Sequence, residues 1–343
     1  LNDTRGEIVD ALLVLTDSER DQLVEGFEAV KVSPYDDYRT FSELISEVVV
    51  DGEVPERLLR AAGRIRSDRA EGVVEAHVLR NCPVDDDLPE IGNEDPSAEK
   101  KKRKTTFVGE AFLELLAQIT STPLLAYTNR FGGDFFIDVV AINRYLGKQT
   151  GYNGGEVVFH NDRTAHRVRA DYITLLGMRC PAEDLVYTGF VPGLRLLAEL
   201  PAEIRQVLRE PYYATPFDVV SRDANADLGE AVAHPILSGR SSLRYLDTHT
   251  STTGDAPVEA KDALLALKNA LTRVPKDRHR MQKGDVLTFA NQHGLHNREQ
   301  IEIADAEKAL GRWLLKTYAF ADQAAADAHG DAWIDGIPGK VGD

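Results

Sequence analysis

The sequence predicts a mainly β fold with flanking helices, an α+β chain whose core is a barrel or jelly roll. Three observations predict it. From residue 125 onward short apolar stretches recur, "LLAYTNR", "FFIDVVAI", "EVVFHND", "YITLLGMRC" and "DLVYTGF", punctuated by Gly, Asn and Asp. Helical spacing is confined to the first part of the chain and a few insertions. No internal repeat or linker divides the 343 residues, so one domain over 1–343 is expected, with ample length for a core.

Taken in order, "LTDSERDQLVEGFEAV" (15–30) opens on capping residues and continues at helical spacing. "PERLLRAAGRIRS" (55–67) reads as a helix with Pro55 at its start. These make the part before residue 70 helical. "EGVVEAHVLRNCPV" (71–84) turns to strand. The acidic run and five basic residues of 85–106, with Lys100 to Lys104, read as a solvated, mobile loop rather than a nucleic-acid arm. "FVGEAFLELLAQITS" (107–121) returns to helix. After the strands come helices at 201–210 and 257–273, the latter with Leu264, Leu265, Leu267 and Leu271 as a buried stripe. "GDVLTFANQ" (284–292) and "GRWLLKTYAFA" (311–321) resume strand, so the β core spans 71–321. The Ala-, Asp- and Gly-rich tail from 322 is expected to pack loosely.

A net charge of −16 argues against nucleic-acid or anionic-membrane partners, whose recognition needs clustered cations. Only two cysteines, Cys82 and Cys180, are present, which excludes a disulfide scaffold or a cysteine-rich zinc site. No stretch approaches the roughly 20 apolar residues that span a bilayer. No signal peptide is visible, and the Leu1 start points to a trimmed N-terminus. The cytoplasm is the expected location.

One stretch carries chemistry. In "VVFHND" the β-branched and aromatic residues argue for strand, and His160 and Asp162, two apart, then share a face with Cα atoms roughly 6.5 Å apart. An imidazole and a carboxylate at that spacing can reach one cation. Two histidines and one carboxylate, with the other positions open, are the ligands of non-haem Fe(II) oxygenases. The second histidine has candidates in His249, His293 and His296. Spacing alone leaves His293 and His296 equal.

Several segments in consistent order, from about residue 70 to 320, resemble the clavaminate-synthase-like branch of the Fe(II)/2-oxoglutarate dioxygenases. They are "EGVVEAHVLRNCPVDDDLP", "FHNDRTAHRVRADYITLLGMR", "GDVLTFANQHGLH" (with Asn291 five residues before His296) and "GRWLLKTYAF". The resemblance implies a distorted double-stranded β-helix (jelly roll) with a lid insert over 190–260, including "SRDANADLGEAVAHPILSG". It implies His160, Asp162 and His296 as iron ligands, and Arg312 and Thr188 on 2-oxoglutarate. It also puts Lys316, at a position where relatives often have arginine, on the substrate carboxylate. His166 and His293 become supporting residues. Asp162 stands where many relatives have glutamate, one methylene further from the backbone, so the iron seat must shift.

The activity the resemblance implies is hydroxylation of a free amino acid with Fe(II), 2-oxoglutarate and O2. The sequence is most similar to the L-lysine hydroxylases, with carbon 3 favoured and carbon 4 close behind. Asp247, in "RYLDTHTST", is the candidate for the side-chain ammonium, and Gln149 for the α-amine. The alternatives are arginine or another free or carrier-bound amino acid, and a non-catalytic metal-binding jelly-roll protein.

Overall fold

The computed structural model describes residues 7–72, 74–225 and 228–342. The N-terminal residues 1–6, with the start at Leu1, lie outside the described residues, as do Val73 in the early strand, Ala226 and Asp227 in the expected lid, and Asp343 in the tail.

Residues 7–72 form β1 (Glu7–Ile8), β2 (Ala11–Val14), α1 (Asp17–Glu28), α2 (Tyr38–Val50) and α3 (Glu56–Glu71). α1 starts at a capping box, in which Thr16 and Glu19 each accept the other's backbone N–H, satisfying two donors that a helix start leaves unpaired. After β3 (Ala76–Arg80) come α4 (Pro96–Arg103) and α5 (Val108–Ile119). α1, α2 and α3 pack on α5, and α5 packs on the larger sheet.

The core strands are β4 (Leu124–Tyr127), β5 (Ile137–Val139), β6 (Val157–His160), β7 (Tyr172–Arg179) and β8 (Leu185–Pro192). An insert follows, with α6 (Gly193–Ala198), α7 (Ala202–Val207), β9 (Tyr213–Ala214), α8 (Val219–Ala224), β10 (Ala233–His234), β11 (Leu237–Ser238), β12 (Ser242–Leu243), β13 (Ser251–Thr252) and α9 (Val258–Arg273). β14 (Asp277–His279), β15 (Val286–Ala290), β16 (Gly294–Glu302), α10 (Ala306–Leu310), β17 (Trp313–Ala319), α11 (Gln323–Asp327) and β18 (Lys340–Val341) complete the chain.

The larger sheet runs β18-β4-β17-β7-β15-β3-β2, with β5 also on β17, and the smaller runs β1-β14-β8-β16-β6. Alternation along the strands divides the core. Leu176, Met178, Trp313 and Leu315 face the helical layer, whereas Ile173, Leu175, Leu314, Phe289 and Phe190 fill the space between the sheets. Lys316 and Tyr318 share parity with Leu314 and point inward with it. The insert packs around its own cluster, with Leu196, Tyr213, Ile236, Tyr245 and Leu267 buried.

Three expectations are corrected. Residues 85–106 are not a solvated loop: Lys100 and Lys104 are buried. The Lys104 ammonium meets Asp85 at 2.9 Å and Glu110 at 2.5 Å, and Lys100 meets Asp138 at 2.7 Å. The acidic run supplies Asp85, and the other partners, Glu110 and Asp138, come from α5 and β5. The leucine stripe of α9 also differs. Leu267 and Leu271 are buried with Ala260, Ala263 and Ala270, but Leu265 is 57 % exposed. Adjacent residues lie about 100° apart around a helix, so Leu264 and Leu265 cannot both face the core. The tail is not loose: β18 pairs in parallel with β4, and Ala326 and Val341 are buried. Gly339, at φ +80°, makes this possible, since a Cβ there would fall 2.2 Å from the Leu124 carbonyl.

Candidate active site

β6 and β16 pair antiparallel with His160 directly opposite His296, which brings two imidazoles 136 residues apart in sequence to a ring separation of 4.2 Å. Asp162 follows β6 on a turn fastened by two asparagines. Asn161 donates to the Asn291 and Gly294 carbonyls and accepts from Tyr245 N–H. Asn291 accepts from Asp162 N–H at 2.8 Å and donates to the carbonyls of Asp162 and Ala170. The carboxylate thereby lies with Oδ1 3.1 Å from His160 Nε2 and 3.6 Å from His296 Nε2. One ligand atom from each of the three lies within 4.8 Å of the others.

The donor set fits a metal ion. His160 Nδ1 lies 2.7 Å from the Val158 carbonyl. A carbonyl only accepts, so Nδ1 donates to it and Nε2 is the ring nitrogen turned to Asp162 and His296. Burial, with His160 beside it, pushes His296 down to about 4, so its imidazole is neutral at pH 7 and able to ligate. Burial opposes the charge on Asp162, but Lys316 and the two histidines outweigh it and hold the carboxyl well below the usual range. Its second oxygen, Oδ2, accepts from Lys316 Nζ at 2.8 Å and Tyr318 Oη at 2.7 Å. Oδ1 alone is turned to the histidines.

These groups line one cavity between the sheets, together with Gln149, Thr188, Arg298, Arg312, Arg130 and Asp218. Arg312 precedes β17, and its buried Nη2 has no hydrogen-bond partner. A buried guanidinium nitrogen left unpaired suits an incoming carboxylate, so the residues present also fit a dicarboxylate co-substrate. Thr188 on β8 lies opposite Arg298 on β16. Gln149 accepts from Val158 N–H at 3.3 Å.

One sequence-read residue falls elsewhere. Asp247 does not line the cavity: it accepts from Lys268 Nζ at 2.7 Å and Tyr245 Oη at 2.6 Å. Its own N–H bonds the Phe159 carbonyl, which sends the side chain away from the space that Leu246 lines. The assignment to a substrate ammonium is corrected accordingly. Lys316 also stands differently from a free substrate ligand, since Asp162 already holds its ammonium. His293 bonds Ser241, and His166 contacts Ser221 and Arg163. His249 contacts Thr248.

Sequence reasoning missed Asn161, Arg298, Tyr318 and the Arg130–Asp218 pair, in which Arg130 reaches both Asp218 oxygens at 2.5 Å. Tyr318 had a signal: it lies two residues past Lys316 on the same strand face.

The sequence of residues 105–318 matches the family model "Taurine catabolism dioxygenase TauD, TfdA family". The chain belongs to this family of dioxygenases. No curated protein sequence matches it. Among solved structures, the dioxygenase is similar to an asparagine oxygenase in complex with Fe(II), 2S,3S-3-hydroxyasparagine and succinate. That likeness has a TM-score of 0.79 and 21% identity, and covers 96% of this chain and 99% of the other. It is also similar to the non-heme iron oxygenase OrfP in complex with Fe and alpha-ketoglutaric acid, with a TM-score of 0.76, 21% identity and coverage of 97% and 100%. A further OrfP complex holds Fe, succinate and (3S)-hydroxy-L-Arg, at a TM-score of 0.72, 20% identity and coverage of 95% and 98%. The fold is thus the double-stranded β-helix of these oxygenases.

The neutral histidines of the dioxygenase make a pH prediction. Burial pushes His234, in the insert, down to about 4, as it does His296. Unfolded, each takes up a proton near 6.5. Between these values the unfolded chain binds more protons, so this part of the stability is fully present above about 6.5 and is lost as pH falls toward 4. The thermal midpoint of the metal-free protein is expected to drop across that window. A flat profile contradicts the assignment.

Proposed function

We propose that this dioxygenase hydroxylates a free L-amino acid, with Fe(II) held by His160, Asp162 and His296, and with 2-oxoglutarate and O2 as its co-substrates. The observation that carries the reading is a single cavity holding both a three-ligand metal seat and the unpartnered guanidinium of Arg312. When bound, the iron and 2-oxoglutarate supply oxidative chemistry that releases succinate and CO2 and puts one oxygen atom into a C–H bond.

The rest is placement by this chain's own residues. Arg312 and Thr188 bind the distal carboxylate of 2-oxoglutarate, the guanidinium offering a planar fork to it. Lys316 and Tyr318 hold Asp162 by Oδ2, which fixes the rotamer that turns Oδ1 to the metal. The Lys316 ammonium, with one donor left after Asp162 and Tyr318, is the partner for the substrate's α-carboxylate. Gln149 Oε1 accepts from the α-ammonium beside its bond to Val158. The apolar walls, Val139, Leu175 and Leu314, keep water from the reacting carbon.

L-Lysine, hydroxylated at carbon 3 or carbon 4, is the substrate that the sequence resemblance supports. A second reading, arginine or a neutral amino acid, is favoured by one observation: Asp247 is already paired with Lys268. Asp218, the other acidic side chain lining the cavity besides Asp162, is already bonded to Arg130. A cationic side chain therefore meets no uncommitted carboxylate among the described residues. The test is product analysis after incubation with Fe(II), 2-oxoglutarate and single amino acids. A product heavier by one oxygen from lysine, its new hydroxyl located by NMR, supports the first reading. Conversion of arginine or asparagine with lysine untouched replaces it by the second.

A further inference from the structure

Three guanidiniums line the cavity without an ion-pair partner among the described residues, Arg163, Arg298 and Arg312. Arg163 lies over the Tyr127 ring, 4.1 Å from its centroid, and Arg312 is accounted for by the co-substrate. Arg298 is two residues past His296 on β16. Its donors go to neutral acceptors only: Nε to the Gly155 carbonyl at 2.5 Å, Nη1 to the Gly151 carbonyl at 3.0 Å and Nη2 to Asn153 Oδ1 at 2.5 Å. Those bonds hold the guanidinium in place but leave its charge uncompensated. Taking a charge out of water without a counter-charge is costly. Arg298 and Arg312 line both this cavity and the small one adjoining it, where Asp184 is the one acidic side chain among the described lining residues and forms an ion pair with neither; two guanidiniums against one carboxyl leave a positive excess that suits an anion. The register adds a third group, since Thr188 lies directly across from Arg298, so hydroxyl and guanidinium rise from the same face of the smaller sheet. Arg312 approaches from the start of β17 in the larger one.

We propose that Arg298 is a second cationic determinant of co-substrate binding, acting with Arg312 and Thr188 on the distal carboxylate of 2-oxoglutarate. The inference rests on the co-substrate reading above. It gives the bonds to residues 151–155 a purpose, which is to hold a guanidinium beside the carboxylate subsite without neutralising it. A carboxylate partner in place of Asn153 would cancel the charge that the co-substrate needs.

The experiment is calorimetric titration of 2-oxoglutarate into the Mn(II)-loaded protein without oxygen, for the wild type, Arg298→Gln, Arg298→Lys and Asn153→Ala. Thermal unfolding of each checks that it is folded. Arg298→Gln is expected to weaken 2-oxoglutarate by about tenfold or more, the scale of a lost charge-assisted contact. Arg298→Lys, which keeps the charge and loses the fork, should stay within about threefold of the wild type. Asn153→Ala, which removes one of the three bonds that hold the guanidinium, should weaken 2-oxoglutarate by less than Arg298→Gln does. If Arg298→Gln binds like the wild type, the proposal is overturned. It is also overturned if Arg298→Lys and Asn153→Ala lose as much as Arg298→Gln, since the side chain then acts only by fastening the loop. Should Arg298→Gln not fold, Arg298→Lys decides: affinity within about threefold of the wild type supports the charge, and a larger loss overturns the proposal. A wild type that binds no 2-oxoglutarate fails the proposed function itself, which separates that failure from one confined to Arg298.

Discussion

Asp162→Ala is expected to reduce turnover by more than about a thousandfold. Removing an outer partner of a metal ligand typically costs roughly 10–100-fold, and Asp162 is the proposed ligand on which Lys316 and Tyr318 converge. Without it the cavity loses the anionic member of the metal seat. Lys316 and Tyr318 also lose the oxygen they share, and a buried ammonium is left facing two imidazoles. Metal affinity and activity should therefore fall together, as read by Fe(II) titration under nitrogen and by succinate formation. Activity within about tenfold of the wild type would remove Asp162 from the ligand set. Asp162→Glu is informative beside it. The Asn291 bond to the Asp162 N–H fixes the backbone, so an added methylene displaces the carboxylate from the positions that Oδ1 and Oδ2 now take. The shorter aspartate is matched to that backbone position.

Lys104→Met should destabilise the fold by about 3–5 kcal/mol, the usual cost of removing one partner from a buried ion pair. That is a large share of the roughly 5–15 kcal/mol that keeps a domain folded. The ammonium bonds Asp85, Glu110 and the Thr106 carbonyl. Asp85 in turn accepts from Thr106 and from the N–H groups of Val108 and Gly109 at the start of α5. Tyr35 donates to Glu110 and accepts from Lys100, whose partner Asp138 also takes the Trp313 indole N–H. The chain of bonds thus runs from the helical layer to the residue next to Arg312. Removing the ammonium leaves Asp85 and Glu110 buried without it. Denaturant midpoints measure the loss, and Lys104→Met with Glu110→Gln should recover part of it, since one uncompensated carboxylate is gone. A single variant within about 1 kcal/mol of the wild type would mean that the pair contributes little net stability.

Much of the fold was legible in the sequence wherever local pattern and tertiary role agree. The capping box of α1, Pro55 before α3 and the alternation of β7, β8 and β17 all carry their own signal. α2 did not: "YRTFSELISEVVV" ends in three β-branched residues, and its helix is decided by Phe41 and Ile45 packing inward. β16 was hidden for the opposite reason. "GLHNREQIE" is polar because its inward positions, His296 and Arg298, face a polar cavity, so the period of an ordinary strand is absent. Ending the strand at 292 concealed Arg298, although two-residue spacing from His296 places it on the same face. The basic run at 100–104 misled because exposure was inferred from composition, whereas the fold pairs it with Asp85 at the start of the same stretch and with Glu110 and Asp138 beyond it. The metal triad needed both a local signal, His160 and Asp162, and the pairing of β6 with β16 that supplies His296. The substrate end was least legible. Asp247 has the right charge and the right neighbourhood in sequence, but its backbone bond to Phe159 turns it out of the cavity.

The most direct measurement is succinate release by the purified, Fe(II)-reconstituted protein in the presence of 2-oxoglutarate, O2 and a panel of free amino acids. The account predicts that one amino acid stimulates the release strongly and gains one oxygen atom per succinate formed. Release that no amino acid stimulates would contradict it.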